Sequence, residues 1–228
     1  MTASRPRFAF KKSLPIRSSG VRWPTRLIAA ALLGASCAGF LGGCASAPPA
    51  RVLLALPTGA APANATTGAP SGPMLAVRRV SVPEYLETRR VRYRADDTTL
   101  SEWPNTFWAE RFEISVTREL VAALRRGLPG WSVCEATCPD QPPNLNLQVD
   151  LAPLDFMRAS QRLQLRARVV VSGAASTTAQ MRELAVEIVA AADTPHAHAQ
   201  AVTDALRALA QGLVPIVQGA QGAPGTQR

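Results

Sequence analysis

The feature that most constrains the fold of this 228-residue chain is a repeated alternation of apolar and polar side chains in its C-terminal half. Residues 144–154 and 162–171 alternate strictly, and residues 182–191 repeat the pattern more weakly. A strand with this pattern packs one face and exposes the other, which is typical of antiparallel sheets with helices on a single side. The sequence therefore predicts an α+β fold, with an antiparallel or mixed sheet and two long helices packed on one face.

Residues 105–126 show the spacing of the first helix. Two sets of apolar residues recur there: Phe107, Ile114, Val121 and Leu128 are seven apart, and Phe112, Val116, Leu120 and Leu124 flank them. This spacing predicts an amphipathic helix with a wide apolar arc. Gly127 and Pro129 are expected to end it.

The second helix is predicted to have Thr194 as its N-terminal cap and Pro195 as its first residue. Apolar residues follow at helical spacing: Val202, Leu206, Leu209, Leu213 and Val217. Pro215 lacks a backbone donor and is expected to end or bend this helix.

Shorter strands are predicted before the first helix. Residues 75–82, with the sequence LAVRRVSV, are expected to form one strand that Pro83 stops, and residues 89–94 alternate apolar side chains with arginines. Residues 98–103 are expected to pair antiparallel with the second of these strands, across a turn at Asp96 and Asp97.

The N-terminal segment has the charge pattern of an export signal. Seven basic residues and no acidic residue precede the apolar run 27–40, which is too short to span a bilayer as a helix. The sequence LGGC follows at 41–44. We interpret residues 1–43 as a signal peptide that is removed.

This arrangement resembles the leaders of bacterial lipoproteins. The resemblance implies that the Cys44 thiol carries a diacylglycerol, that cleavage falls just before it, and that the new amine is acylated. Several acyl chains hold a protein on a bilayer far more durably than one. Ala45 and Ser46 stand where an Asp would favour the inner membrane, which implies the outer membrane and a periplasmic orientation. An uncleaved signal helix with an incidental cysteine is the alternative.

Composition divides the mature chain into a tether, a domain and a tail. Residues 44–73 are rich in Pro, Ala, Gly, Thr and Ser, and bury too little apolar area to offset the entropy of ordering. A short strand at 51–56 is possible within them. Residues 74–218 are expected to form a single α+β domain, and residues 219–228 a disordered tail.

The formal charge of +9 comes mainly from the signal peptide. That segment holds seven of the 25 basic residues and none of the 16 acidic ones, so the mature chain carries only +2. A strongly basic surface for nucleic acid is therefore not expected.

Two cysteines remain as thiols after export. Cys37 leaves with the signal peptide and Cys44 takes lipid, so Cys134 and Cys138 are predicted to pair in an oxidising compartment. Only three residues separate them, so the bond would set local geometry more than global stability. The gap is too long for a CxxC redox motif, and no nearby ligands complete a zinc site, so no metal or other cofactor is expected.

The sequence contains no catalytic motif. It lacks GxSxG, HExxH and a Gly-rich phosphate loop, so we expect no enzymatic activity. Glu84 beside Tyr85, and Glu110 close to Trp108, are the residues from which an acid and a base would have to come. The preferred interpretation is that Tyr85 and Trp108 are core or interface aromatics and that Glu110 favours a helix N-terminus.

The cysteine that ends the leader is followed by three short motifs, VPEYL at 82–86, VRYR at 91–94 and WAE at 108–110, the last opening the first helix. Their order and spacing resemble those of the PqiC-type auxiliary lipoproteins of ABC-type transport systems. Two departures are visible. Arg111 stands where the family often has Pro, and the tryptophan expected near Val169 is missing.

The resemblance implies a non-catalytic outer-membrane lipoprotein that cooperates with an MCE-domain protein of the inner membrane in moving lipids between the two membranes. In that role it would dock the periplasmic conduit at the outer membrane. A second interpretation is a structural lipoprotein that braces an envelope secretion or surface-assembly complex.

The exposed face of the predicted sheet is the candidate interface. Arg162, Arg166 and Arg168 alternate along one strand, on a face that one-sided helix packing leaves open. We expect this face to join copies of the chain in a homo-oligomer or to contact the conduit protein. Tyr85 and Trp108 are further candidate contacts.

Overall fold

The computed structural model describes residues 49–57, 72–136, 138, 141–173 and 179–222. The predicted signal peptide, Cys44 and most of the predicted tether lie outside the described residues, as do residues 223–228 of the predicted tail. Within the described residues the strands and helices, in chain order, are β1 (Val52–Leu54), β2 (Met74–Val77), β3 (Arg90–Arg94), β4 (Leu100–Trp108), α1 (Phe112–Gly127), β5 (Ser132–Glu135), β6 (Leu145–Met157), β7 (Arg162–Gly173), β8 (Ala179–Val189) and α2 (Pro195–Gly222).

The sheet is mixed and is organised around β6. One edge of β6 pairs antiparallel with β7, which in turn pairs antiparallel with β8. The other edge is shared, because β2 pairs parallel with the first residues of β6 and β3 meets it at Met157. From there β2 leads to β5, and β3 leads through β4 to β1. In the described part of the chain, β1, β5 and β8 are therefore the outer strands.

The helices cover one face of this sheet. The inward side chains of β6 and β7 are buried: Leu145, Leu147, Val149, Leu151, Leu163, Leu165, Ala167, Val169 and Val171. α2 lies against β6, β7 and β8, and α1 packs on α2 and β5. The outward side chains of β7 remain exposed. The predicted α+β architecture, a mixed sheet with two helices packed against it, is confirmed.

The first helix begins later than the sequence predicts. It starts at Phe112, because residues 105–108 are the end of β4. This end of β4 is hydrogen-bonded on both edges, to β3 and to β1, and these bonds outweigh the helical spacing of the sequence. The set spaced by four residues from Phe112 to Leu124 is the buried stripe, whereas Phe107 and Ile114 of the other set are partly exposed. Trp108 therefore ends a strand and does not open the helix.

The second helix begins as predicted but runs further. The backbone N–H of Ala197 donates to the Thr194 hydroxyl at 3.2 Å, so Thr194 is the cap. The helix does not end at Pro215 but continues to Gly222, beyond the predicted end of the domain at residue 218. Pro215 and Gln211 are both exposed, so water can satisfy the carbonyl that loses its helical donor.

Two short strands extend the sheet at its ends. The segment 51–56 contains β1, which pairs parallel with β4, so the sheet includes residues well before Met74. β5 has no sequence signal of its own, and pairs parallel with β2. Among the described residues, no helix combines the length and the apolar character that a membrane span needs.

Candidate functional site on the open face of the sheet

Three arginines of β7 lie on the exposed side of the sheet, as the alternation predicts. Arg162 forms an ion pair with Glu187 of β8. Arg166 and Arg168 form no ion pair within the described part of the chain. Two guanidinium groups are therefore held in a fixed row with their hydrogen-bond donors available to a partner.

A shallow hollow of about 310 Å³ lies beside these two arginines. It is lined by Asp150, Ala152, Arg166, Ala167, Arg168, Glu183, Leu184 and Ala185. The strand register places Arg168 between Asp150 of β6 and Glu183 of β8, and places Arg166 opposite Ala185. The small side chain of Ala185 leaves room beside Arg166. A hollow with charges of both signs suits a polar segment of a protein better than an apolar ligand.

Tyr85 belongs to a polar cluster at the junction of β3 and β6. Its hydroxyl donates to Oδ1 of Asp155 at 2.7 Å, and Nε of Arg94 donates to Oδ2 of the same carboxylate at 2.8 Å. Burial, followed by the hydrogen bond to Asp155, raises the pKa of Tyr85 to about 12. The hydrogen bond to Asp155 also raises the pKa of Arg94. Tyr85 is therefore held protonated, and its hydroxyl connects the short helical turn Glu84–Leu86 to β6.

Trp108 is a core residue. It is 3% exposed and its ring stacks on Phe112 at 4.7 Å between centroids. Because it is buried, Trp108 is not accessible to a partner. The sequence left two roles open, core or interface, and the structure assigns Trp108 to the core. The expectation that Trp108 contributes to an interface is thereby corrected.

Glu110 is ion-paired and not poised for acid–base chemistry. Both of its carboxylate oxygens accept from the guanidinium of Arg118, one of them from Nη1 at 2.9 Å. The hydrogen bond from Arg118 holds the pKa of Glu110 below its ordinary value. Glu110 is therefore held ionised by Arg118 of α1.

Arg158 is a residue whose position sequence reasoning missed. It lies in the turn between β6 and β7, with its guanidinium over the rings of Trp103 (4.4 Å) and Tyr93 (4.8 Å). Its Nη1 donates to the Tyr93 hydroxyl at 2.7 Å, and its Nε to Asp193 at 2.9 Å. No local pattern marks such a residue, because its contacts come from segments 35 to 65 residues away.

His198 is buried beneath this aromatic group. It is 4% exposed, stacks on Phe156 at 4.5 Å, and accepts a hydrogen bond at Nδ1 from the indole N–H of Trp103 at 3.4 Å. Burial lowers the pKa of His198 to about 3. The imidazole is therefore neutral at physiological pH and acts as a packed aromatic.

Cys134 and Cys138 are joined by a disulfide, with their Cα atoms 5.5 Å apart. The bond joins Cys134, within β5, to Cys138, beyond the end of that strand. Among the residues that the structure describes, no group of three or more His, Cys, Asp and Glu side chains is arranged to hold a metal ion.

Known proteins share both the sequence features and the fold. Two curated relatives, each named intermembrane transport lipoprotein PqiC, come from Escherichia coli K12 and Shigella flexneri. Each is 29% identical over 110 residues, which is 48% of this chain and 58% of the relative. The chain thus spans less than two thirds of the length of these relatives.

Two crystal structures have a similar fold at low sequence identity. One, of an uncharacterized protein, matches with a TM-score of 0.61 at 18% identity and covers 74% of this chain and 99% of that one. The other, of a Xanthomonas campestris protein, matches with a TM-score of 0.60 at 16% identity and covers 75% of this chain and 98% of that one. These likenesses support the fold alone.

The family model of the ABC-type transport auxiliary lipoprotein component matches residues 54–214. That range runs from the last residue of β1 into α2 and includes the arginine row of β7 and the cluster around Tyr85. The match covers well over half of the chain, and the protein therefore belongs to the family of ABC-type transport auxiliary lipoprotein components.

Proposed function

We propose that this protein is a non-catalytic subunit of an MCE/ABC-type intermembrane lipid transport system, anchored in the outer membrane through Cys44 and facing the periplasm. In this role it docks the periplasmic conduit, formed by an MCE-domain protein, at the outer membrane. Family membership supports a place in a transport system, and the intermembrane transport lipoproteins among its relatives support the two-membrane setting.

The observation that carries the docking role is the row of Arg166 and Arg168 on an open sheet face. Both guanidiniums lack an ion-pair partner within the described residues, and the adjoining hollow is open to a second protein. The space between the helices and the sheet is filled by apolar side chains, which favours a role in binding at the surface over one in enclosing a lipid. A lipid anchor would raise the local concentration of this face at the membrane.

The direct test is crosslinking of the tagged protein in living cells, followed by mass spectrometry of the captured proteins and lipids. Recovery of an MCE-domain protein, with or without phospholipid, is the expected result. Capture of only secretion or surface-assembly components would contradict the transport role and favour the structural alternative.

The interface is tested by the double variant Arg166→Glu/Arg168→Glu. We expect it to lose most of the crosslinked partner, because an acidic face would repel the surface that the arginines attract. A matched control is Arg78→Glu/Arg79→Glu, which makes the same change of charge at two exposed residues outside the sheet face. Equal capture by the two variants would remove the β7 face from the interface.

The anchor is tested by Cys44→Ala. We expect this variant to fold normally, to appear in the soluble periplasmic fraction, and to fail to complement a deletion strain, because the lipid would have no attachment point. Circular dichroism of the purified variant checks the fold. Normal fractionation of Cys44→Ala with the outer membrane would contradict the lipid anchor.

A further inference from the structure

A second surface of mixed character lies at the opposite end of the sheet from β8. Leu53 of β1 is 67% exposed, and its side chain shares the outer face of the sheet with Phe107, its partner in the parallel register. The guanidiniums of Arg51 and Arg90 lie over the Phe107 ring, at 5.8 Å and 5.2 Å from its centre. We call these four residues the basic–apolar patch.

The basic–apolar patch has an excess of positive charge. Arg90 and its neighbour Arg92 share a single carboxylate, that of Glu102. Arg51 forms no ion pair within the described part of the chain. An exposed leucine and a partly exposed phenylalanine lie beside Arg51, which has no ion pair among the described residues, and Arg90, which shares its carboxylate with Arg92. This combination of apolar and cationic groups is typical of interfacial membrane-binding surfaces.

The position of the patch in the chain ties it to the predicted anchor. Arg51 lies seven positions after Cys44, with six residues between them. Even fully extended, the chain from Cys44 to Arg51 reaches about 25 Å. A lipid on Cys44 would therefore hold β1, the first described strand after the anchor, within about 25 Å of the bilayer surface. β8 lies a further five strand spacings, or about 24 Å, across the sheet.

We propose that the basic–apolar patch rests on the membrane that holds the anchor. Leu53 and Phe107 enter the headgroup region, and Arg51 and Arg90 contact the phosphates of anionic phospholipids. This inference rests on lipidation of Cys44 and deepens the proposed function, because it sets the orientation of the domain. With β1 on the membrane, the arginine row of β7 lies four strand spacings away along the sheet.

A bilayer fits the patch better than a second copy of the chain does. Four residues bury far less than the roughly 800 Å² per partner that a stable protein interface requires. A domain already tethered to the membrane needs little additional binding energy to settle on it, because its local concentration there is high. The apolar contact of Leu53 and Phe107, together with the attraction of each arginine to the anionic membrane surface, is then sufficient to hold the patch on the bilayer.

The test is a polarity-sensitive fluorophore on Leu53→Cys in the mature lipidated protein. Its thiol should label selectively, since Cys44 carries lipid and Cys134 and Cys138 form a disulfide. The protein is reconstituted in vesicles of phosphatidylethanolamine and phosphatidylglycerol that contain a spin-labelled phospholipid as quencher. The matched control is Met181→Cys on β8, which is 58% exposed. We expect a blue shift at 53 and quenching several-fold stronger than at 181.

Equal quenching at the two positions would overturn the proposal. A blue shift at 53 without quenching by lipid would also overturn it, since the patch would then be covered by a second copy or another protein. Adding Arg51→Glu to Leu53→Cys should lower the quenching several-fold, because charge reversal replaces attraction to the anionic surface by repulsion. Quenching that is unchanged by Arg51→Glu would contradict the contact between Arg51 and the phosphates.

The same preparation separates this inference from the proposed function. Flotation with the vesicles verifies the anchor, and a protein that does not float would remove the inference together with its premise. A domain that is quenched at 53 but captures no MCE-domain protein in cells would keep the membrane contact and contradict the transport role. Capture of the MCE-domain protein without quenching at 53 would support the transport role and contradict the membrane contact.

Discussion

Two rows of arginines on the same sheet have different partners. On β3 every arginine is ion-paired, Arg90 and Arg92 with Glu102 and Arg94 with Asp155. On β7, Arg166 and Arg168 have no such partner within the described residues. Both rows alternate with apolar residues in the sequence, so the alternation determines the face but not the pairing. The paired row connects strands within the fold, whereas the unpaired pair is available for recognition.

The strongest test of this comparison is Asp155→Ala, which removes the carboxylate shared by Tyr85 and Arg94. It would leave a hydroxyl and a partly exposed guanidinium without their shared acceptor, so we expect a loss of about 2–3 kcal/mol in the free energy of unfolding. Urea denaturation followed by circular dichroism measures it.

Asp150→Ala is the matched control for that prediction. Asp150 lies on the same strand and lines the hollow beside Arg168, and its carboxylate makes no hydrogen bond or ion pair with the described residues. We expect its stability to change by less than about 0.5 kcal/mol. Equal losses from the two variants would show that the paired cluster has no special part in stability.

The folded protein should lose stability in acid, because His198 is buried in its neutral form. The pKa of His198 is about 3 in the folded protein and ordinarily about 6.5, so the unfolded chain binds a proton that the folded chain excludes. The contribution of His198 to stability is complete above pH 6.5 and is lost as the pH falls toward 3. Between pH 6.5 and 5 this amounts to about 2 kcal/mol.

Denaturation at a series of pH values measures this loss, and His198→Phe should flatten the dependence because the stacked ring is kept without its titrating group. His196→Gln is the control, since His196 is exposed. A pH dependence that persists in His198→Phe would assign the acid sensitivity to carboxylates instead.

The smallest effect on stability is expected at the unpaired row. Arg166→Ala/Arg168→Ala should change the free energy of unfolding by no more than about 0.5 kcal/mol, because these exposed side chains have no intramolecular ion pair to lose among the described residues. Alanine is used here because a glutamate at 168 would lie between Asp150 and Glu183 and be repelled by both. The alanine variant is also expected to capture less of the partner in cells. A large destabilisation would mean that the β7 row also serves the fold, and the contrast between the rows would disappear.

Much of the architecture is predictable because it depends on local periodicity. The strands around Val149 and Val169, the cap at Thr194 and the turn at Asp96 all follow from side chains within a few residues of one another. The errors occur where distant pairing overrides a local signal. The end of β4 has helical spacing, yet hydrogen bonds to β1 and β3 keep it extended.

The candidate site is only partly predictable for the same reason. The arginine row of β7 could be predicted because it needs only a strand and an open face. The basic–apolar patch could not be predicted. It joins Phe107 of β4 and Arg90 of β3 to Arg51, just before β1, and the sequence does not reveal the register of these strands. The roles of Trp108 and Tyr85 likewise depended on burial and on the partner at Asp155.

The sequence by itself determined which side chains face the core and which face solvent, because the periods of strands and helices are properties of the local backbone. It also predicted the leader that ends at Cys44, which is a linear signal. Only the tertiary structure decided which charges are neutralised, since ion pairs such as Arg94 with Asp155 join residues 61 positions apart. Burial and charge pairing are sums over the whole folded chain, and they separate the arginines that hold this fold together from those left for its partners.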